Sequence, residues 1–402
     1  MASKARTYDV VLWGATGFTG KLTAEYLHKT YPTLRWAIAG RSASALQEMK
    51  LKLGLNVEVL TADLKDPQSL QKLTESTKVI LSTAGPFAKI GTPMVEACIN
   101  GGAHYCDLTG EAQWVREMVD TYFEQAAAKK VKIVNCCGYD CIPCDLGTQM
   151  VLDRALALGL APTEVRVRFA ADKSKGGVSG GTIASVFNIL ESLPLSELMK
   201  LANPFYLNPR NSQGAIDACD NMMPGYDDVA KKYTMPYFMQ GIDLRLVNRS
   251  HALNGFKYGR DLVFSERMLL PNLPMAVIGS AVMALVQLMF LLPFTRFFLK
   301  KVLPSPGEGP DQDKLDNGFF TALLYAKGVN AAGKTEVVSG TVRAFGGDPG
   351  YRQTAKMIGE SAVCLALDSD LPPAYGVLTP SVAMGPALRD RLTKQGIEFK
   401  LT

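Results

Sequence analysis

Apolar positions in the first third of the chain come in short runs, each closed by glycine or a polar turn and followed by a longer mixed segment. Residues 9–13, Asp-Val-Val-Leu-Trp, form one such run and stop at a glycine. A short continuous run predicts a strand buried on both faces of a parallel sheet. The same pattern predicts strands at 35–39, 56–61, 78–83, 103–107 and 131–136. Helical segments fall at 21–30, at 92–101 with its Gly-Gly stop, and at 111–130. Strands alternating with helices at this spacing predict an α/β domain over 1–150, a doubly wound parallel sheet covered on both faces.

The pattern changes after 150. Segments 164–171, 241–247, 319–327 and 335–345 mostly alternate apolar and polar residues. They predict strands of a mixed or antiparallel sheet in a second, α+β domain over 151–350, the substrate and dimer part of a two-domain enzyme. The glycine-rich segment 176–182 precedes a helical run and suits either an anion or carbonyl site or a plain capped helix start. Segment 351–367 reads as an amphipathic helix, and 351–402 is expected to pack back near the first domain.

Residues 268–295 carry no charge and are flanked by Arg267 on one side and Arg296, Lys300 and Lys301 on the other. A bilayer core needs about 20 apolar residues. Pro271, Pro274 and Pro293 shorten the usable helix, and a full crossing would split the strands on either side between compartments. We read 268–302 as an apolar helical insertion entering one bilayer leaflet or a lipid-droplet surface from the cytoplasmic side, its basic ends on the headgroups. A buried or dimer-interface helix and a single span stay open.

Charge and cysteine usage narrow the classes. Lys+Arg 43 against Asp+Glu 38 gives +5 with no dense basic block, so nucleic acid is not an expected partner. No apolar stretch precedes the first strand, so no signal peptide is expected. Four of the 8 cysteines, Cys136, Cys137, Cys141 and Cys144, crowd into nine residues, a poor disulfide layout. Cys141-x-x-Cys144 suits a redox pair or half of a zinc site. A zinc site needs two more ligands, and the histidines are His28, His104 and His251, so buried thiols and no metal are expected.

Between the first strand and its helix lies Gly14-Ala15-Thr16-Gly17-Phe18-Thr19-Gly20. Glycine triplets in that context form a dinucleotide loop: one glycine for a tight turn, one for close approach of the pyrophosphate, and one for close helix packing. The helix start adds unpaired N–H donors. The first domain is therefore read as a Rossmann domain. The second strand ends at Gly40-Arg41-Ser42 with no acid to hold a ribose 2′-hydroxyl. Arg41 instead suits a 2′-phosphate, so NADP(H) is favoured over NAD(H). Asp63 is placed near the adenine edge, and Thr83, Ala84, Gly85 and Pro86 near the pyrophosphate and nicotinamide. Short-chain dehydrogenases catalyse with Tyr-x-x-x-Lys. None of the 14 tyrosines has a lysine four residues on, Tyr122 being followed by Ala126, which excludes that mechanism.

With these residues in place, the chain resembles the saccharopine dehydrogenase-like oxidoreductases. The matching motifs are the loop 14–20, Ala39-Gly-Arg41, Ser82-Thr-Ala-Gly-Pro-Phe87, His104-Tyr-Cys-Asp-Leu-Thr-Gly-Glu111, Gly138-Tyr-Asp-Cys-Ile-Pro-Cys-Asp-Leu-Gly147, Gly176-Gly-Val-Ser-Gly-Gly-Thr182 and Gly376-Val-Leu-Thr-Pro380. They occur in order over nearly the whole chain. Two branches are similar, the eukaryotic lipid-droplet-linked proteins and the mycobacterial trans-acting enoyl reductases. Cys141 and Cys144 stand where the family has small residues such as Ser or Ala, which weakens a catalytic role for either.

The resemblance implies an NADP(H)-dependent oxidoreductase. The reading taken from it is hydride transfer to an activated C=C or C=O of a hydrophobic, lipid-like substrate. A saccharopine-type C–N dehydrogenase, which needs a cationic pocket, and a non-catalytic NADP-binding adaptor on a lipid surface are the alternatives. Tyr139, Asp140 and His104 are the candidate proton donors, and a homodimer stays open.

Overall fold

A computed structural model describes residues 6–170, 180–210, 212, 221–303, 309 and 311–402. The chain divides into two units. The first comprises Met1–Tyr139, Pro306–Gly309 and Gly350–Gln395; the second comprises Asp140–Ser305, Pro310–Pro349 and Gly396–Thr402.

In the first unit, β1 (Tyr8–Trp13) is buried at every position, as a central parallel strand must be. It is followed by α1 (Phe18–Thr30), β2 (Trp36–Gly40), α2 (Ala43–Lys52), β3 (Glu58–Thr61), α3 (Pro67–Ser76), β4 (Thr77–Ser82), α4 (Phe87–Ile90), α5 (Thr92–Gly101), β5 (His104–Asp107), α6 (Ala112–Ala128) and β6 (Lys132–Val134). Local chemistry sets several ends. Ser42 Oγ accepts from Ala45 N at 3.2 Å to start α2, and Asp66 Oδ1 accepts from Gln68 N at 3.1 Å, with Pro67 at the first position of α3. Gly102, at φ 70°, stops α5.

The second unit begins with α7 (Ile142–Ala157) and β7 (Ala161–Phe169). It continues with α8 (Gly180–Ser192), α9 (Leu195–Leu201), β8 (Gly225–Asp227), β9 (Lys232–Pro236), α10 (Gln240–Leu253), β10 (Val263–Leu270), α11 (Leu273–Leu291), α12 (Pro293–Val302), α13 (Gln312–Asp316), β11 (Phe319–Val329) and β12 (Thr335–Phe345). A π-helical turn, Pro349–Gln353, leads into α14 (Thr354–Leu367), β13 (Gly376–Leu378), α15 (Pro380–Ala383) and α16 (Gly385–Lys394), and β14 (Ile397–Leu401) ends the chain.

The first sheet runs β13-β6-β5-β4-β1-β2-β3, parallel throughout. Its order reverses at β1, the switch point where such folds take a dinucleotide. The second sheet runs β14-β12-β11-β7-β10-β9-β8 and is mixed, with only β7 and β10 parallel. Both sheets match the predicted classes.

Three local expectations change. Segment 241–247 is helix, not strand: Ile242, Leu244 and Leu246 mimic alternation, but α10 is buried around its whole circumference, Asp243, Arg245 and Arg249 included. The boundary falls at Tyr139, not at 150, because α7 packs on β11, β12 and β7. Within 351–402 the last strand, β14, pairs with β12 of the second sheet. Residues 176–179 of the glycine-rich segment lie outside the described residues.

Candidate functional site

The loop after β1 sits at the C-terminal edge of the first sheet. Gly14 leaves the strand at φ 84°, in the left-handed region that favours glycine, and a Cβ there would lie 2.8 Å from Ala84 N. At Gly20 a Cβ would drive into the Gly14 carbonyl oxygen and lie 2.9 Å from Ala15 Cα, so this glycine packs α1 under the turn. Gly17 is less crowded, its Cβ position falling 3.3 Å from Gly14 O. Gly17 N donates to Gly14 O at 3.0 Å, and the first helical bond is Lys21 N to Gly17 O at 3.0 Å. The N–H groups of Phe18, Thr19 and Gly20 precede that bond and have no intrahelical acceptor. Ala15 is buried, Thr16 exposed, and Phe18 and Thr19 half-buried. A turn that lacks Cβ atoms at Gly14, Gly17 and Gly20 and opens onto the N-terminal donors of a 13-residue helix fits a pyrophosphate.

The neighbouring strands end at the same edge. Thr83 N donates to Trp13 O at 2.9 Å, and its hydroxyl to Gly14 O at 3.1 Å, tying Thr83 to the turn. Ala84 is half-buried, Gly85 is exposed, and the Gly85–Pro86 peptide is cis. Arg41 is the first residue after β2 and is exposed; the next residue, Ser42, is engaged in capping α2. Asp63 stands beyond β3, where its Oδ1 accepts from Lys65 N at 2.9 Å and its N–H donates to Ser69 Oγ at 3.0 Å. Its carboxylate thus organises its own turn. The structure brings Gly14 through Gly20, Arg41, Asp63 and Thr83 through Pro86 to one edge of one sheet.

Two residues matter more than their place in a motif suggested. Glu111, 1% exposed, accepts from Phe87 N at 2.8 Å and Ala88 N at 3.1 Å, fixing the start of α4 just after the Gly85–Pro86 bond. Asp107, fully buried at the end of β5, accepts from Thr109 N at 3.0 Å, Cys136 N at 3.3 Å and Asn135 Nδ2 at 2.8 Å. Burial pushes its carboxyl up to about 7 despite these donors. The sequence signal was an Asp at a strand end with Thr and Glu two and four residues on.

The candidate proton donors separate. His104 starts β5 rather than ending it. Its strand partner is Val79, three residues before Ser82 at the cofactor edge, or about 10 Å along a strand. His104 Nδ1 accepts from Lys132 N at 3.1 Å, and burial with nearby Lys132 and Arg6 lowers its pKa to about 4. It is a neutral structural imidazole at the opposite edge, and the sequence placement is corrected. Tyr139 follows β6 and is buried, its N–H donating to Thr354 Oγ1 at 3.0 Å. Asp140, half-buried, has its carboxyl pushed up to about 6 by desolvation and by the charge of Asp348.

Within the second unit, a cavity of about 230 Å³ is lined by Arg166, Arg168 and Arg267 together with Glu164, Asp227 and Glu266. Every guanidinium there is engaged. Arg166 Nε meets Glu164 at 2.6 Å, Arg168 Nε meets Asp227 at 2.6 Å, and Arg267 donates to Thr234 Oγ1 at 2.8 Å and to the carbonyls of Asn221 and Met223. Such a charge-balanced wall is not a polycarboxylate pocket.

The apolar insertion is also in this unit. Of the 19 residues of α11, only Ala276 and Ser280 are buried. Ile278, Val282, Leu285, Leu288 and Leu291 are each 49–63% exposed, and Phe294, Phe297 and Phe298 of α12 are exposed beside Lys300 and Lys301. A helix buried in the core of one chain, one of the readings left open, is not what forms. The charge-free run also begins inside β10, whose last residues are 268–270.

Comparison with known proteins agrees with this geometry. The family described as saccharopine dehydrogenase NADP binding domain matches residues 10–134. A Mycobacterium tuberculosis protein named as a trans-acting enoyl reductase is 35% identical, over 100% of this chain and 99% of that protein. A trans-acting enoyl reductase of Mycobacterium ulcerans is 33% identical with the same coverage. Apo saccharopine dehydrogenase (L-Glu forming) from Saccharomyces cerevisiae superposes with a TM-score of 0.55 at 14% identity, over 98% of this chain and 99% of that one, a likeness of fold. The chain belongs to the saccharopine dehydrogenase-like oxidoreductase family, with its NADP-binding domain at the N-terminus.

Proposed function

We propose that this NADP(H)-dependent oxidoreductase reduces an activated C=C or C=O in a hydrophobic, lipid-like substrate while resting on a membrane or lipid-droplet surface. The observation that carries the reading is the apolar face of α11 and α12, exposed in a chain with an NADP-binding domain. An unpartnered face of this size beside a basic helix suits insertion into one leaflet. The names of the full-length relatives support reduction of an enoyl group. The engaged arginines of the second-unit cavity speak against the C–N dehydrogenase alternative.

The turn 14–20 and Arg41 are the residues to hold the pyrophosphate and the 2′-phosphate. When bound, NADPH supplies the hydride. Glu111 keeps the 85–88 backbone in place. Asp140, whose carboxyl is pushed up to about 6, is the sequence candidate for the proton taken up with the hydride, by the second carbon of a C=C or the oxygen of a C=O. The test is incubation of the protein with NADPH and a lipid extract, read by mass spectrometry for two-hydrogen gains. NADPH oxidation accompanied by such gains is the expected result. NADPH binding with no turnover across lipid fractions would leave the adaptor reading.

A further inference from the structure

Away from the dinucleotide loop, three acidic side chains meet inside the second unit. Cys144 comes from the first turn of α7, Asp243 from α10 and Glu266 from β10. Cys144 Sγ lies 3.0 Å from Glu266 Oε1 and 3.8 Å from Asp243 Oδ2, and one ligand atom from each residue falls within 4.8 Å of the others. Cys144 and Asp243 are fully buried and Glu266 is 4% exposed. The two carboxyls hydrogen-bond to each other and Asp243 to Cys141, while Asp243 Oδ1 and Glu266 Oε2 are buried and find no donor from any other group. A buried carboxylate oxygen left without a donor destabilises the fold, and here two occur in one cluster.

We propose that Cys144, Asp243 and Glu266 bind a borderline divalent cation of the zinc class, clamping α7, α10 and β10 together. A thiolate and two carboxylates against a divalent ion leave one negative charge. Arg168, paired with Asp227 at 2.6 Å, also acts on Glu266 through its charge and offsets part of it. The thiolate selects zinc over magnesium or calcium, which prefer oxygen ligands alone. Glu266 also lines the 230 Å³ cavity, which gives an ion a route in and leaves the fourth tetrahedral position to water. The spacing of histidines and cysteines along the sequence could not reveal this set, because two of its members are carboxylates about 100 residues away on other elements.

The test is independent of the reductase reading. Full-length protein is stripped with chelator and titrated with Co²⁺ as a spectroscopic probe, then with Zn²⁺. One equivalent of Co²⁺ with a thiolate-to-cobalt charge-transfer band, displaced by Zn²⁺ and not by Mg²⁺, is expected, with a Zn²⁺-dependent rise in the unfolding midpoint. Cys144→Ser should abolish the band. Glu266→Gln should keep the band but weaken Zn²⁺ binding at least about tenfold, the lower bound for loss of even an outer-shell partner. NADPH titration of each variant reports on folding, and if Cys144→Ser does not fold, Glu266→Gln alone decides. Folded wild-type protein with no cobalt band would overturn the proposal and leave Asp243 and Glu266 as a proton-sharing pair. Zinc affinity unchanged in Glu266→Gln would overturn it as well.

Discussion

Gly14 and Ala84 meet so closely that a Cβ on residue 14 would lie 2.8 Å from the Ala84 nitrogen. The turn after β1 and the loop after β4 are thereby built as one surface, reinforced by the Thr83 hydroxyl on Gly14 O at 3.1 Å. Gly14→Val should therefore displace both loops and destabilise the first unit. Gly17→Val, where a Cβ meets nothing nearer than 3.3 Å, should fold and still lose NADPH and NADH together. Calorimetric titration of both variants checks this, and NADPH affinity retained in folded Gly17→Val would remove the loop from the phosphate site.

Arg41 should separate the two cofactors. It is exposed at the end of β2 and no acid follows it there. Arg41→Ala should weaken NADPH by about ten- to a hundredfold, the worth of one charge-assisted phosphate contact of about 1.5–3 kcal/mol, and leave NADH nearly unchanged. Equal losses for both cofactors would contradict the 2′-phosphate role.

Much of the first unit was legible because buried parallel strands announce themselves as apolar runs, and the glycine loop occupies the one turn that the strand order requires. The second unit was harder. Over 241–247 a buried helix imitates an alternating strand, since Arg245 and Arg249 are inside rather than facing water. β10 escaped notice because Ser265, Glu266 and Arg267 interrupt it with polar groups that serve the cavity. His104 was misplaced because a motif gives residue order but not the edge of the sheet on which a strand begins.

Glu111 should act on the cofactor loop from outside it. Glu111→Ala frees the N–H groups of Phe87 and Ala88 and should cost about 1–3 kcal/mol of stability. NADPH affinity should fall with it, while Glu111→Gln, which keeps one acceptor, should recover part of both. Thermal unfolding with and without NADPH measures the two effects on one sample.

Asp107 gives the first unit a pH-dependent stability of defined sign. Its carboxyl is raised from 3.8 to about 7, so the folded state holds a proton that the unfolded chain releases. The stabilisation is complete below about pH 4 and is lost as pH rises through about 7. Asp107→Asn should flatten that slope in unfolding midpoints measured between pH 4 and 8. A slope equal to wild type would show that the proton sits elsewhere.

Leu285, Leu288 and Leu291 are the residues with which to test the surface reading. All three are about half exposed, whereas Phe290, between Leu288 and Leu291 in the chain, packs on Phe187 with ring centroids 5.6 Å apart and should be left in place. Replacing the three leucines by Asp should release the protein from liposomes or droplets, at about 2.5–3.5 kcal/mol per charge at the hydrocarbon centre. NADPH binding should persist. Wild-type protein that stays soluble in flotation but forms a dimer that the variant cannot form would assign the face to a second copy instead.

The way the chain returns at its end bears on its synthesis. β13 completes the edge of the first sheet only at Gly376–Leu378, and β14 covers β12 only with Ile397–Leu401. A nascent chain leaving the ribosome thus carries two unfinished sheets, the first until Gly376–Leu378 and the second until Ile397–Leu401 have emerged. The edge of β12 at Gly340–Ala344, which β14 later pairs, is open to mispairing during that interval. Loss of the Ile397–Leu401 strand would therefore be felt as poor yield before any defect in the finished enzyme could be measured.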